Sequence, residues 1–153
     1  MAFLKPFKQI SKHDVAIAGG KGASLGEMTQ ARIPVPPGFV VLAGAFDAFL
    51  QETQLDADIE SILHKVKHQD MNSVEQASEK IQSLILSADF PKNLAKEITK
   101  EFTKLKAGFV AVRSSATAED SSSASWAGEL DTYLNTTKKN LLNIKINMMN
   151  FLE

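Results

Sequence analysis

The chain contains no cysteine, no long hydrophobic run and no excess of charge of either sign. The missing cysteine excludes a disulfide scaffold and a thiolate metal site, and it suits a reducing compartment, with the cytoplasm as the default. Because a membrane span needs roughly 18 consecutive apolar residues, we expect no membrane partner. A net charge of −1 gives no basic surface for nucleic acid, so any phosphate-bearing ligand has to be held locally.

The composition is otherwise that of one globular domain. With 153 residues, of which 44% are hydrophobic, the chain can bury about two-thirds of its unfolded surface. Apolar residues at helical spacing are interrupted by two short apolar runs, at 39–42 and 109–112, which have the length of strands. Helices are predicted at 23–32, 45–51, 59–66, 74–85 and 91–105, a further strand at 130–134, and a last helix capped by Thr137.

Residues 18–22, Ala-Gly-Gly-Lys-Gly, are the most glycine-dense stretch and predict a loop before the helix at 23–32. A lysine between glycines can direct its ammonium at a phosphate while neighbouring amides approach the same anion. Lys21 is therefore a candidate phosphate ligand; the alternative is a solvated lysine beside a flexible turn. The segment matches neither the P-loop nor the dinucleotide-binding fingerprint, because Leu25 takes the place of the fingerprint's third glycine.

Arg113 stands where the apolar run at 109–112 gives way to small and hydroxylated residues. A strand end holds a guanidinium rigidly enough to bind phosphate oxygens through two hydrogen bonds. The competing interpretation is a structural salt bridge to Glu119 or Asp120. The serine-rich tract at 121–125 that follows is either a flap over phosphates or a flexible solvent loop.

The three histidines are the chain's candidates for a phosphate carrier or a metal ligand, but the sequence favours neither role. His64 and His68 are four residues apart on a predicted amphipathic helix, a spacing that suits a metal ion, but no third ligand is evident nearby. We interpret both as solvent-facing, and His13 lies beside Asp14 near the start of the chain. We therefore predict no metal ligand and no catalytic residue within this chain.

Four ordered segments carry a resemblance to a known family. They are Gly-Gly-Lys-Gly-Ala-Ser-Leu-Gly-Glu-Met at 19–28, Ile-Pro-Val-Pro-Pro-Gly-Phe-Val-Val at 33–41, Val-Arg-Ser-Ser-Ala-Thr-Ala-Glu-Asp at 112–120 and Ser-Trp-Ala-Gly-Glu-Leu-Asp-Thr-Tyr-Leu-Asn at 125–135. Together they resemble the ATP-binding domain shared by phosphoenolpyruvate synthase, pyruvate phosphate dikinase and rifampin phosphotransferase. The resemblance assigns residues 1–144 to this domain, and 145–153 are expected to be a divergent tail at a truncation point.

The resemblance implies an α+β fold: the first lobe of an ATP-grasp-like nucleotide-binding domain, with a small sheet and several packed helices. It implies that Lys21 and Arg113 contact the phosphates of ATP. It also implies that Gly128, with the Ser/Ala loop before it, closes over those phosphates, and that Thr132 lies near the nucleotide.

By the same resemblance, the reaction is that of a pyruvate, water dikinase, which passes phosphate from ATP to pyruvate through a phosphohistidine. The second ATP lobe with its magnesium carboxylates, the phosphohistidine domain and the pyruvate-binding domain have no counterpart here. We therefore expect the ligands of Mg²⁺ and the pyruvate site to lie outside this chain, for example on a companion chain, and we expect a truncated, split or frame-shifted product or a fragment. Two alternatives stay open: a non-catalytic or vestigial nucleotide-binding module, and the ATP lobe of a rifampin phosphotransferase.

Overall fold

The computed structural model describes residues 3–115, 117 and 132–143. Within these ranges the fold is α+β, as predicted, with five α-helices and two separate two-stranded antiparallel sheets. No helix in the described ranges is both long enough and apolar enough to cross a bilayer. The helices are α1 (Val15–Gln30), α2 (Ala43–Thr53), α3 (Leu55–Leu63), α4 (Met71–Ser87) and α5 (Lys92–Lys104), and the strands are β1 (Leu4–Pro6), β2 (Phe39–Val41), β3 (Val110–Arg113) and β4 (Thr132–Thr136).

The predicted small sheet is divided into two pairs, β1 with β2 and β3 with β4. In the first pair Leu4 lies opposite Val41, and in the second Arg113 lies opposite Thr132. The two pairs do not join, but residues of both pack against one hydrophobic cluster, so the core rather than a continuous hydrogen-bond ladder holds them together. The strand predicted at 130–134 is observed as β4; its first two predicted residues lie outside the described ranges.

The core consists mainly of two clusters that divide the helices between them. One joins α2, α3 and α4, and the other joins α5 to α2, to both sheets and to the segment after β4. The helical periodicity predicts most of these buried faces, because apolar residues three and four apart lie on one side of a helix. Leu63 and Val74, which the same spacing places on the predicted core faces of α3 and α4, are exposed. The buried residues are Phe46, Phe49, Leu55, Ile59, Ile81 and Ile85 in the first cluster, and Ala45, Leu94, Ile98, Phe102 and Leu141 in the second.

The helix predicted to begin at Thr137 is not formed within the described residues. The side chain of Asn140 accepts hydrogen bonds from both the amide and the hydroxyl of Thr137, at 2.6 and 2.8 Å. Leu141–Asn143 then form a short 3₁₀ helix. The Thr137 hydroxyl therefore donates to a side chain instead of capping a helix, and Leu141 is buried from this turn.

Candidate functional site

Helix α1 contains a kink at Gly19, inside the glycine-rich segment. Gly19 has φ 69° and ψ 168°, a backbone conformation that is almost exclusive to glycine. The helix stops and restarts there, so residues 15–18 and 20–30 are two helical segments joined by one non-helical residue with positive φ. The prediction of a loop at 18–22 is therefore wrong. Only Gly19 leaves the helical conformation in this glycine-rich segment. The residues after it stay helical because a residue from another part of the fold stabilises the first turn of the second segment.

The stabilising residue is Ser115, two positions beyond the end of β3. Its hydroxyl accepts a hydrogen bond from the amide of Gly22 at 3.0 Å and donates one to the carbonyl of Ala18 at 2.9 Å. The approach is so close that a Cβ atom on Gly19 would lie 2.3 Å from Ser115 Oγ. Gly19 occupies the N-cap position of the second helical segment but has no side chain, so Ser115 supplies the capping oxygen instead.

Lys21 is the second residue of the restarted helix and is half-buried. The N-terminal end of a helix carries partial positive charge and favours anions within its first turn. Lys21 therefore adds a formal positive charge at a position where the backbone already favours a phosphate.

The restarted helix is also fixed further along by Ile10, which is fully buried. A Cβ atom on Gly26 would lie 2.4 Å from the Ile10 carbonyl oxygen, so only glycine permits this packing. The side-chain amide of Gln30 donates to the same carbonyl at 2.6 Å. The segment that carries Lys21 is thus held near its start by Ser115 and near its end by Ile10.

Arg113 and Thr132 are cross-strand neighbours at the end of the β3–β4 pair. Directly opposed residues of an antiparallel pair have their side chains on the same face. Both residues are exposed, so the guanidinium and the hydroxyl share a solvent-facing side of the sheet. The next opposed pair is Val112 and Tyr133. The register is irregular between that pair and the pair Val110 and Thr136, and Asn135 in this stretch of β4 has φ 54°.

Two of the four residues predicted for the site, Arg113 and Thr132, are paired across β3 and β4, and Lys21 is linked to them only through the backbone contact of Ser115. Arg113 and Thr132 face each other, and the strand that ends at Arg113 leads directly to Ser115, which contacts the helix of Lys21. The fourth residue, Gly128, lies outside the described residues. So do Glu119, Asp120 and the tract at 121–125, and both interpretations of Arg113 therefore stay open.

The three histidines lie on the exposed surface of the described residues. His13, His64 and His68 are all exposed, which confirms the solvent-facing interpretation of the pair at 64 and 68. His64 Nε2 lies 3.8 Å from Glu60 Oε1 on the surface of α3. Among the residues that the structure describes, no three His, Cys, Asp or Glu side chains are grouped closely enough to hold a metal ion.

A cleft of about 470 Å³ lies between the ends of α2 and α4 and the start of α5. Its lining combines the acidic residues Glu52 and Asp89 with apolar residues such as Leu84 and Phe90. None of the predicted site residues contributes to this lining. The cleft is therefore separate from the arrangement around Ser115.

Ser115 is the residue of this arrangement that the sequence analysis missed. Within the chain it is one of several serines after β3, and its two hydrogen-bond partners lie 93 and 97 positions away. A glycine at an N-cap position does indicate that the helix needs a capping oxygen from elsewhere. The glycine therefore indicates that a capping oxygen is missing locally, but it does not indicate which residue supplies that oxygen.

The pyruvate phosphate dikinase AMP/ATP-binding domain family matches residues 15–148 of the chain. The match includes all four predicted site residues.

The chain is also similar to curated archaeal proteins. It is 48% identical over 141 residues to a probable phosphoenolpyruvate synthase of Methanocaldococcus jannaschii, covering 88% of this chain and 12% of that protein. It is 44% identical over 135 residues to a probable phosphoenolpyruvate synthase of Methanothermobacter thermautotrophicus, covering 84% of this chain and 20% of that protein. The phosphoenolpyruvate synthase of Pyrococcus furiosus is 37% identical over 170 residues, covering 86% and 21%. The chain thus spans about a fifth or less of the length of these relatives.

Proposed function

Because the chain belongs to the pyruvate phosphate dikinase AMP/ATP-binding domain family, we propose that it is the ATP-binding portion of a phosphoenolpyruvate synthase-like phosphotransferase. Lys21 and Arg113 bind the phosphates of ATP in this proposal. Thr132 lies near the nucleotide, and Gly128 with the loop before it closes over the phosphates. Residues 1–144 form the module, as the first lobe of an ATP-grasp-like domain, and 145–153 form a tail.

The observation that carries this proposal is the contact of Ser115 with the kink of α1. Lys21 and Arg113 are about 90 residues apart in the sequence. Ser115 nevertheless follows Arg113 by two residues, and its hydroxyl forms hydrogen bonds with the backbone on both sides of the Gly19 kink, next to Lys21. The segments that carry the two cations are therefore joined by this contact, which supports a shared site. Such segments suit a polyphosphate, because cationic side chains and a helix N-terminus can give charge-assisted hydrogen bonds to phosphate oxygens.

Phosphoryl transfer depends mainly on positioning and on stabilising the charge that spreads over the transferred phosphoryl group. In the proposed role, Arg113 binds two phosphate oxygens through its guanidinium, and Lys21 contributes a compact charge. Mg²⁺ would neutralise further phosphate charge when bound. We place its protein ligands outside this chain, as the family resemblance implies.

The proposed acceptor chemistry also requires more polypeptide than this chain provides. The relatives are named for phosphoenolpyruvate synthesis and are at least about five times longer than the matched region. We place the phosphohistidine and the pyruvate site on that additional polypeptide, or on a companion chain that supplies it. The isolated chain is then expected to bind nucleotide without turnover, because in this proposal the phosphohistidine that accepts the phosphoryl group lies outside it.

The test is calorimetric titration of the purified 153-residue chain with Mg-ATP, together with an assay for AMP formation in the presence of pyruvate. We expect saturable binding without AMP formation, and binding about tenfold weaker in Lys21→Ala. Lys100→Ala, which removes an exposed lysine from α5, is the matched control and should bind as the wild type does. Equal affinity in Lys21→Ala and the wild type would refute the role of Lys21, and absence of binding would refute the proposed function of the isolated chain.

A further inference from the structure

Ser115 is the link between the two segments of the proposed nucleotide site. Its hydroxyl uses its single proton to bind the Ala18 carbonyl at 2.9 Å and uses a lone pair to accept from the Gly22 amide at 3.0 Å. One partner lies before the kink at Gly19 and the other lies after it. The hydroxyl therefore bridges both helical segments of α1 and fixes how the second segment continues from the first.

The backbone around Ser115 leaves little room for an alternative arrangement. A Cβ atom on Gly19 would lie 2.5 Å from the Ser115 carbonyl oxygen as well as 2.3 Å from its hydroxyl. The residue before it, Ser114, is 1% exposed. The backbone that follows β3 is thus in direct contact with the kink. Loss of the Ser115 hydrogen bonds is therefore expected to shift the first residues of the restarted helix.

From these contacts we propose that Ser115 is a positioning residue of the nucleotide site, acting through Lys21. It rests on the proposed function, because the group that it positions is the one assigned to the phosphates. By capping the amide of Gly22, Ser115 holds the first turn of the restarted helix in place and orients the preceding residue, Lys21. Because Ser115 follows Arg113 by two residues, the same contact sets the spacing between the two cations.

The experiment compares four single variants, Ser115→Ala, Ser115→Thr, Lys21→Ala and Asp70→Ala, and one double variant of the full 153-residue chain, with Mg-ATP affinity measured by calorimetry. Ser115→Ala removes both hydrogen bonds and is expected to weaken binding about tenfold, since small misplacements of a binding group are costly. Ser115→Thr keeps the hydroxyl and is expected to restore most of the affinity. Asp70→Ala is the matched control, because Asp70 caps α4 by accepting from the Asn72 amide at 3.1 Å, away from the site. It removes a side-chain acceptor from the N-terminus of another helix and should leave affinity unchanged.

The double variant Lys21→Ala/Ser115→Ala separates positioning from a general loss of stability. If Ser115 acts through Lys21, its removal changes affinity less than about twofold once Lys21 is absent, because the two effects are not additive. Hydrogen exchange of the Gly22 amide, followed by NMR without ligand, should accelerate in Ser115→Ala and not in Asp70→Ala.

The possible outcomes distinguish this proposal from the one on which it rests. Wild-type binding with unchanged affinity in Ser115→Ala would overturn the role of Ser115 alone. An equal loss in the presence and absence of Lys21 would also overturn it, because Ser115 would then not act through that residue. Failure of the wild-type chain to bind Mg-ATP would overturn the proposed function and the positioning role with it.

Discussion

Arg113 ends β3 directly opposite Thr132, which begins β4, so two residues singled out from separate sequence motifs share one exposed face of a strand pair. The two residues lie opposite each other because the antiparallel pairing of β3 with β4 aligns their Cα atoms. It places a guanidinium beside a hydroxyl, a combination that can donate several hydrogen bonds to one phosphate-bearing ligand.

The first prediction concerns the geometry of the Arg113 guanidinium. Arg113→Ala should weaken Mg-ATP binding roughly 10- to 100-fold, as expected for loss of hydrogen bonds to a charged group. Arg113→Lys should restore only part of this, because an ammonium does not reproduce the two parallel hydrogen bonds of the guanidinium. The control is Arg32→Ala, an exposed arginine just beyond α1, and calorimetry provides the measurement. Full affinity in Arg113→Lys would argue for a simple charge in place of paired hydrogen bonds.

The second prediction concerns Gly19. Gly19→Ala should lower the free energy of unfolding by at least about 2 kcal/mol, because the new Cβ meets both an unfavourable φ and the Ser115 backbone. Gly44→Ala is the matched substitution, since a Cβ there meets nothing within 4 Å on α2. It should be neutral or raise stability by up to about 1 kcal/mol, because alanine loses less chain entropy on folding. Urea unfolding of both variants decides the matter, and equal effects would contradict the close contact at Gly19.

The third prediction concerns the core around α5. Ile98 is 1% exposed and belongs to the cluster that both sheets pack against. Ile98→Ala should cost about 2–5 kcal/mol of unfolding free energy, through lost burial and the cavity that remains. Leu63→Ala, at a leucine that is 49% exposed on α3, should change stability by less than about 1 kcal/mol. Chemical denaturation measures both, and a small effect of Ile98→Ala would show that this cluster does not hold the sheets.

The fourth prediction concerns Asp14, just before α1. The hydrogen bond from the Ser11 amide is the largest influence lowering the pKa of the Asp14 carboxyl, followed by the bond from the Ser11 hydroxyl; Lys5 lowers it further. Since folding favours the charged form, its stabilising contribution is present above the unfolded pKa and is lost as pH falls through the folded pKa.

Asp14→Asn should therefore destabilise the protein near neutral pH and should have a smaller effect at pH values below the folded pKa of Asp14. Thermal unfolding across the acid range measures this difference between wild type and variant. A difference in Tm that stays constant down to the lowest pH would show that the charge of Asp14 does not contribute.

The helices were predictable because their signal is local. The apolar spacing along α4 and α5 identifies Ile81, Ile85, Leu94, Ile98 and Phe102 as inward-facing, and all five are buried. The apolar run at 39–42 likewise predicts strand β2 correctly. The prediction of a loop in the glycine-rich segment is wrong because glycines favour a kink as much as a loop. The capping contact from Ser115, which the local sequence does not reveal, distinguishes the two.

The sequence by itself determined the helical periodicity, the α+β class and the motifs that identify Lys21 and Arg113 as candidate phosphate ligands, since these depend on residue type and spacing along the chain. The tertiary structure decided that the helix of Lys21 restarts at a kink, that Ser115 caps it, and that Arg113 and Thr132 lie opposite each other. These contacts join residues that are distant in sequence. Their existence depends on how the core brings β3, β4 and α1 together, and no local pattern of residues specifies that.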